Sequence, residues 1–186
     1  MEAVKKIKLN KITKIILVSV LGTLILTISA KIKIPFYPVP MTMQTFVVLF
    51  LGITLGSKIG LITVSLYLLE GIFGLPVFAG TPEKGIGFIY FTGPTMGYLF
   101  GFLIAVYFAG SFKYKTGLIN NLIKLIFSVS FIYILGILWL GFLIGWEKPI
   151  FELGVQPFLL AELFKVLLLL FLIPNFLKIK KLIKIT

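Results

Sequence analysis

The chain has 186 residues, 59% of them hydrophobic and 13% charged, where an ordinary soluble domain carries about 25% charged residues; too few polar side chains remain to coat a water-exposed surface. All 18 basic residues are Lys, all six acids are Glu, and Arg, Asp, His and Cys do not occur, which excludes disulfides, thiolate chemistry and the usual metal-ligand clusters. The formal charge of +12 gathers at the two ends without a basic stripe interleaved with aromatics, so it suits contact with anionic lipid and excludes a nucleic-acid surface.

At about 20 apolar residues per crossing, this length holds five or six membrane spans and no separate soluble domain. The first apolar run, residues 12–30, follows Lys5, Lys6, Lys8, Lys11 and Lys14 and is read as a helix. A cleaved signal peptide is the competing reading, but the run exceeds a typical apolar signal region and no small-residue cleavage motif precedes Lys31 and Lys33. Pro35, Pro38 and Pro40 then forbid helix and impose a stiff extended loop. Two short helices follow over 41–56 and 59–72, separated at Ser57-Lys58.

Residues 74–91 mix Gly, Pro and aromatics in a pattern that suits a loop or re-entrant segment. A fourth helix is expected over 93–111, and a fifth over 118–145, long enough that Gly136, Gly141 and Gly145 suggest tilt, a kink or an irregular outer end. The sixth is expected over 155–176, ahead of Lys178, Lys180, Lys181 and Lys184. With the termini, Lys58, Lys113 and Lys115 on one side, twelve lysines face four on the other (Lys31, Lys33, Lys84 and Lys148), which puts both termini in the cytoplasm. The expected class is an all-α, six-helix integral membrane protein of the cell membrane, one domain over 1–186.

An ionisable side chain within the hydrocarbon costs on the order of 3 kcal/mol, so Glu162 and Lys165 stand out in the sixth helix. Three residues apart, they share a face, and counting from Val155 puts them roughly 10 and 15 Å below the outer end of the helix. Two readings fit: a mutually neutralising structural pair, or an acceptor and donors at the floor of an outward cavity. Glu70 reads as interfacial, and Gln44 either satisfies backbone or meets a ligand. Phe36, Tyr37, Phe78, Tyr90 and Tyr98 are stacking candidates or members of an interfacial aromatic belt. Small residues four apart (Ser19, Thr23 and Thr27; Gly52 and Gly56; Gly97 and Gly101) permit close helix packing, and the first set alternatively offers a stripe to another membrane subunit. No nucleophile and base stand together, which argues against an enzyme.

Three stretches, PVPMTMQTF from Pro38, GLPVFAG from Gly74 and GPTMGYLFGF from Gly93, together with Glu162-x-x-Lys165, resemble the BioY family, the biotin-binding S components of energy-coupling factor (ECF) transporters. The resemblance covers nearly the whole chain. It implies a membrane subunit that holds biotin beneath the proline loop and topples to release it inside. The drive comes from partners, a membrane T subunit and two ATPases; the chain has no Walker-A pattern, so ATP is used only by those subunits and no cofactor is resident. The resemblance also implies that Glu162, where the family usually has Asp, accepts from the ureido N–H groups while Lys165 donates to the ureido carbonyl. It places further ligand contacts at Gln44, Phe78, Ala79, Gly80, Thr81, Lys84 and Tyr98, with Lys84 or Thr81 replacing the Arg or Asn that family members offer the valerate carboxylate. Met96 stands where a small residue is usual, and Ser19, Thr23 and Thr27 are placed on the T-subunit docking face. An S component for another vitamin and a self-sufficient biotin carrier are the alternatives.

Overall fold

A computed structural model describes residues 10–35, 37–83, 85–114 and 117–183. Phe36 and Lys84, and Lys5, Lys6, Lys8, Lys115 and Lys184 of the lysine tally, lie outside the described residues. The chain is built of helices. Those over Lys11–Lys31, Gln44–Ile72, Leu118–Ile144 and Ile150–Ile183 are long and apolar enough to cross a bilayer, as a multi-pass membrane protein requires.

Helix α1 (Lys11–Lys31) starts at Asn10, whose side chain accepts from the Thr13 backbone N–H at 2.7 Å and so satisfies one free donor of the first turn. Two-residue strands β1 (Lys33–Ile34) and β2 (Met41–Thr42) pair antiparallel, Lys33 opposite Thr42, and clamp the base of the proline loop. Helix α2 (Gln44–Ile72) is a hairpin. At Gly56 the backbone takes φ +80° and ψ 170°, a conformation open to glycine, and two helical arms, 44–55 and 57–72, fold back on each other. Gln44 in the first arm thereby donates to the Tyr67 hydroxyl in the second at 2.8 Å. The two expected helices are thus present, with the break at Gly56 rather than at Ser57-Lys58.

Helix α3 (Met96–Ser111) lies across the hairpin. A Cβ on Gly52 would meet the Val106 carbonyl oxygen at 2.7 Å, so glycine sets that close approach. Gly97 and Gly101 do the same against the backbone of α4 (Leu118–Ile144). The α4 glycines serve packing rather than a kink: Gly136 makes room for the Tyr98 ring and Gly141 for the Trp146 indole. Helix α3 begins three residues later than expected. The sixth helix begins at Leu159, after a short α5 (Ile150–Gly154) and a 3-10 turn at Gln156–Phe158, and continues to Ile183 as α6. The hairpin occupies the centre, packed by α1, α3 and α6, with Leu26, Val48, Ile53, Val64, Leu125 and Leu169 in the core.

Residues 74–83 and 85–86 form turns and bends that lead into a 3-10 segment, Gly87–Thr92, at the same end of the bundle as the proline loop. Phe78 anchors them. Its ring stacks on Tyr90 at 4.7 Å and meets Tyr67 and Phe91 edge-on, in a slot that exists because Gly71 has no side chain. Lys31 and Lys33 hold the same loop by its carbonyls: Lys31 donates to Phe78 O at 2.8 Å and Lys33 to Ala79 O at 2.8 Å.

The small stripe of α1 points inward, contrary to a docking role. Ser19 and Thr23 are buried, Ser19 accepting from Thr63 at 3.3 Å and Thr23 donating to Glu70 at 2.9 Å, both in the second arm of α2. Thr27 is half-buried and donates to the Thr23 carbonyl. Membrane burial makes a hydroxyl seek a partner, and the hairpin supplies one; the free face of α1 is apolar instead, with Leu17, Leu21, Leu24 and Ile28 exposed.

Candidate functional site

Three segments distant in sequence meet beneath the proline loop: the foot of that loop, the first turn of α2, and the first two turns of α6. The later start of α6 puts Glu162 in its first turn, about 5 Å along the helix axis, and Lys165 about 9 Å along, shallower than expected from Val155. An acid there is favoured by the positive end of the helix dipole. Both side chains are buried, at 5% and 4% exposure, and form an ion pair at 2.7 Å.

The pair is heavily bonded on one side. Glu162 Oε2 accepts from the Thr45 hydroxyl at 2.9 Å and the Tyr133 hydroxyl at 2.9 Å as well as from Lys165. Lys165 donates further to the Thr42 carbonyl at 3.1 Å and to Thr45 Oγ1 at 2.6 Å, so its three N–H groups are all engaged. Thr45 relays between the ions, accepting from one and donating to the other. Glu162 Oε1 is different: it is buried without a hydrogen-bond partner among the described residues. An acceptor left so costs about 1–3 kcal/mol, more when charged, unless something else supplies a donor.

Lys165, Thr45 and Tyr133, the three partners of Glu162, all line one cavity. Val39, Pro40, Met41 and Thr42 from the proline loop cover it; Gln44, Tyr90, Thr95 and Tyr98 add polar and aromatic wall; Ala79, Leu99, Phe102, Ile132 and Phe158 make it apolar elsewhere. This is the composition of a small-molecule site, apolar with a few placed polar groups. Tyr98 is fixed by its hydroxyl donating to Gly154 O at 2.8 Å. Burial pushes the Tyr90 phenol above its ordinary range, and its oxygen accepts from the Gly80 N–H at 3.3 Å.

Of the expected ligand contacts, Lys165, Gln44, Ala79 and Tyr98 line the cavity, and Glu162 lies behind its three partners. Phe78, Gly80 and Thr81 do not: Phe78 fills the slot beside Gly71, and the Thr81 hydroxyl donates to Phe78 O. They shape the loop that presents Ala79. Lys84 lies outside the described residues. Glu70 is half-buried against Thr23, away from the cavity. Sequence reasoning missed Thr45 and Tyr133. Tyr133 carried a signal, since a phenol deep in an apolar helix needs a partner; Thr45 carried only its place beside Gln44.

Comparison with known proteins gives the arrangement a context. The pattern of the BioY family matches residues 3–182. The probable biotin transporter BioY of Pyrococcus horikoshii is 36% identical over 139 residues, spanning 75% of this chain and 81% of that protein. The biotin transporter BioY of Thermotoga maritima is 36% identical over 144 residues, spanning 77% and 83%. A crystal structure of the S-component for biotin from an ECF-type ABC transporter matches with a TM-score of 0.75 at 26% identity over 95% of each chain. Fold, length and sequence therefore agree, and the chain belongs to the BioY family.

Proposed function

We propose that the chain captures biotin in the cavity beneath the proline loop and delivers it across the cell membrane as the substrate-binding subunit of an ATP-driven ECF transporter. The observation that carries the site is the unpartnered Glu162 Oε1, buried beside a lysine whose neighbours line an otherwise apolar cavity. A cyclic urea has the complementary groups, N–H donors flanking a carbonyl. In this reading one ureido N–H donates to Glu162 Oε1. The ureido carbonyl takes a Lys165 N–H in exchange for the Thr42 carbonyl, the longest of the three Lys165 hydrogen bonds at 3.1 Å. That exchange costs little, because one amide-type carbonyl replaces another.

The apolar wall then covers the ligand's ring and chain, and the carboxylate meets the remaining polar groups, Gln44, Tyr90 and Thr95. In this reading the six crossings are α1, the two arms of α2, α3, α4 and α6, with the lysine-rich ends in the cytoplasm and the proline loop outside. A T subunit and two ATPases supply the energy. The reading is tested by binding of labelled biotin to the purified chain in detergent: saturable binding at micromolar ligand, undiminished by other vitamins, is expected. Absence of binding, or displacement by a different vitamin, overturns it.

A further inference from the structure

Among the described residues of the cavity wall the one cation is Lys165, and it is already paired with Glu162. An anionic end of a ligand must therefore be met there by neutral donors, which hold an anion well when their dipoles are aligned toward it. One peptide unit in the wall is aligned in this way. Its carbonyl, Ala79 O, accepts from the Lys33 ammonium at 2.8 Å, and its amide, Gly80 N–H, donates to the Tyr90 hydroxyl oxygen at 3.3 Å. Ala79 and Tyr90 line the cavity, whereas Lys33 stands outside it on strand β1.

The ammonium draws electron density toward the carbonyl oxygen and so makes the N–H at the other end of the same amide a stronger donor, because hydrogen bonds in series reinforce one another. The chain has a direction. Tyr90 receives a hydrogen bond on its oxygen and has its own proton to pass on. Thr95 is its side-chain partner and lines the same wall; whichever hydroxyl gives to the other, the last of the two keeps an O–H to give. Lys31 does not feed this chain. It donates to Phe78 O and Thr81 O, neither of which belongs to the Ala79–Gly80 unit.

We infer that Lys33 is a positioning residue for the anionic end of the ligand: acting through the Ala79–Gly80 peptide and the Tyr90 hydroxyl, it polarises that corner of the cavity and makes the site prefer a carboxylate over its uncharged ester. The inference rests on the biotin reading and deepens it, by assigning the residue that sets the polarity where the carboxylate is received.

The experiment measures binding of biotin and of biotin methyl ester to the full chain and to Lys33→Met, Lys33→Arg and Lys31→Met. The wild type is expected to prefer biotin. In Lys33→Met that preference falls by about fivefold, the scale of one unit charge acting through a partly wetted loop, while affinity for the ester stays near wild type; Lys33→Arg restores it. Lys31→Met removes the same charge from the same loop and should move the ratio less. A purely structural role for Lys33 would weaken both ligands in equal proportion, and an unchanged ratio overturns the inference. A shift in Lys31→Met as large as that in Lys33→Met also overturns it, since net charge would then account for the effect without the peptide relay. The wild-type arm stands without the variants: an ester bound as tightly as biotin overturns the inference and leaves the functional reading in place. A wild type that binds no biotin overturns that reading itself, and this inference with it, which separates the two failures.

Discussion

Glu162 and Lys165 need each other before they need a ligand, because removing either partner strands a buried charge. A test of ligand contact must therefore keep the size and hydrogen-bonding capacity of the acid. Glu162→Gln comes nearest: with the amide oxygen in place of Oε2, Thr45 and Tyr133 can still donate to it and Lys165 keeps Thr42 and Thr45, although it loses its counter-charge. The amide NH2 then stands where Oε1 accepted, and losing that ionic acceptor should weaken biotin by about 1.5–3 kcal/mol, roughly tenfold to a hundredfold in Kd. Titration calorimetry on the purified variant checks this, and unchanged affinity would assign Glu162 to structure alone. The spacing of the pair was legible in the sequence because three residues always share a helical face. Its partners were not, because Thr45 lies 117 residues away and Tyr133 29; only the packing of α2 and α4 against α6 brings them in.

The elements that hold the site turn on two glycines with different physics. Gly56 closes the α2 hairpin with φ +80°, and a Cβ there would meet nothing within 4 Å. Gly56→Ala should therefore cost only backbone strain, about 1–3 kcal/mol, lowering Tm in a detergent melt while leaving biotin affinity near wild type. Gly71→Ala puts a methyl into the Phe78 ring. It should unseat the loop that presents Ala79 and weaken biotin binding as well as stability. Equal ligand affinity in the two variants would contradict the separation of hinge from loop anchor. The break in α2 was visible as the polar Ser57-Lys58, one residue past the glycine that makes it. The inward turn of the α1 stripe was not, because Ser and Thr four apart fit an internal seam and a subunit contact equally well.

At the scale of the molecule, the proposed function leaves the use of ATP to partner subunits, since the sequence holds no Walker-A pattern. Binding should proceed without nucleotide, whereas uptake into vesicles should require an added T subunit and ATPases. Uptake by vesicles containing this chain alone would mark it as a self-sufficient carrier. Composition was enough to place the molecule in a membrane, since 13% charged residues cannot clothe a soluble surface. The loop over the cavity was legible in Pro35, Pro38 and Pro40. The start of α6 was not, because an apolar run with Pro157 near its front does not reveal where a 3-10 turn gives way to helix.

The most direct test of the central claim is a structure of the chain with biotin bound. A ureido N–H within hydrogen-bond reach of Glu162 Oε1, and the ureido oxygen on Lys165 in place of the Thr42 carbonyl, is the predicted result. Biotin seated elsewhere, with Oε1 still bare and the Lys165–Thr42 bond intact, would contradict it.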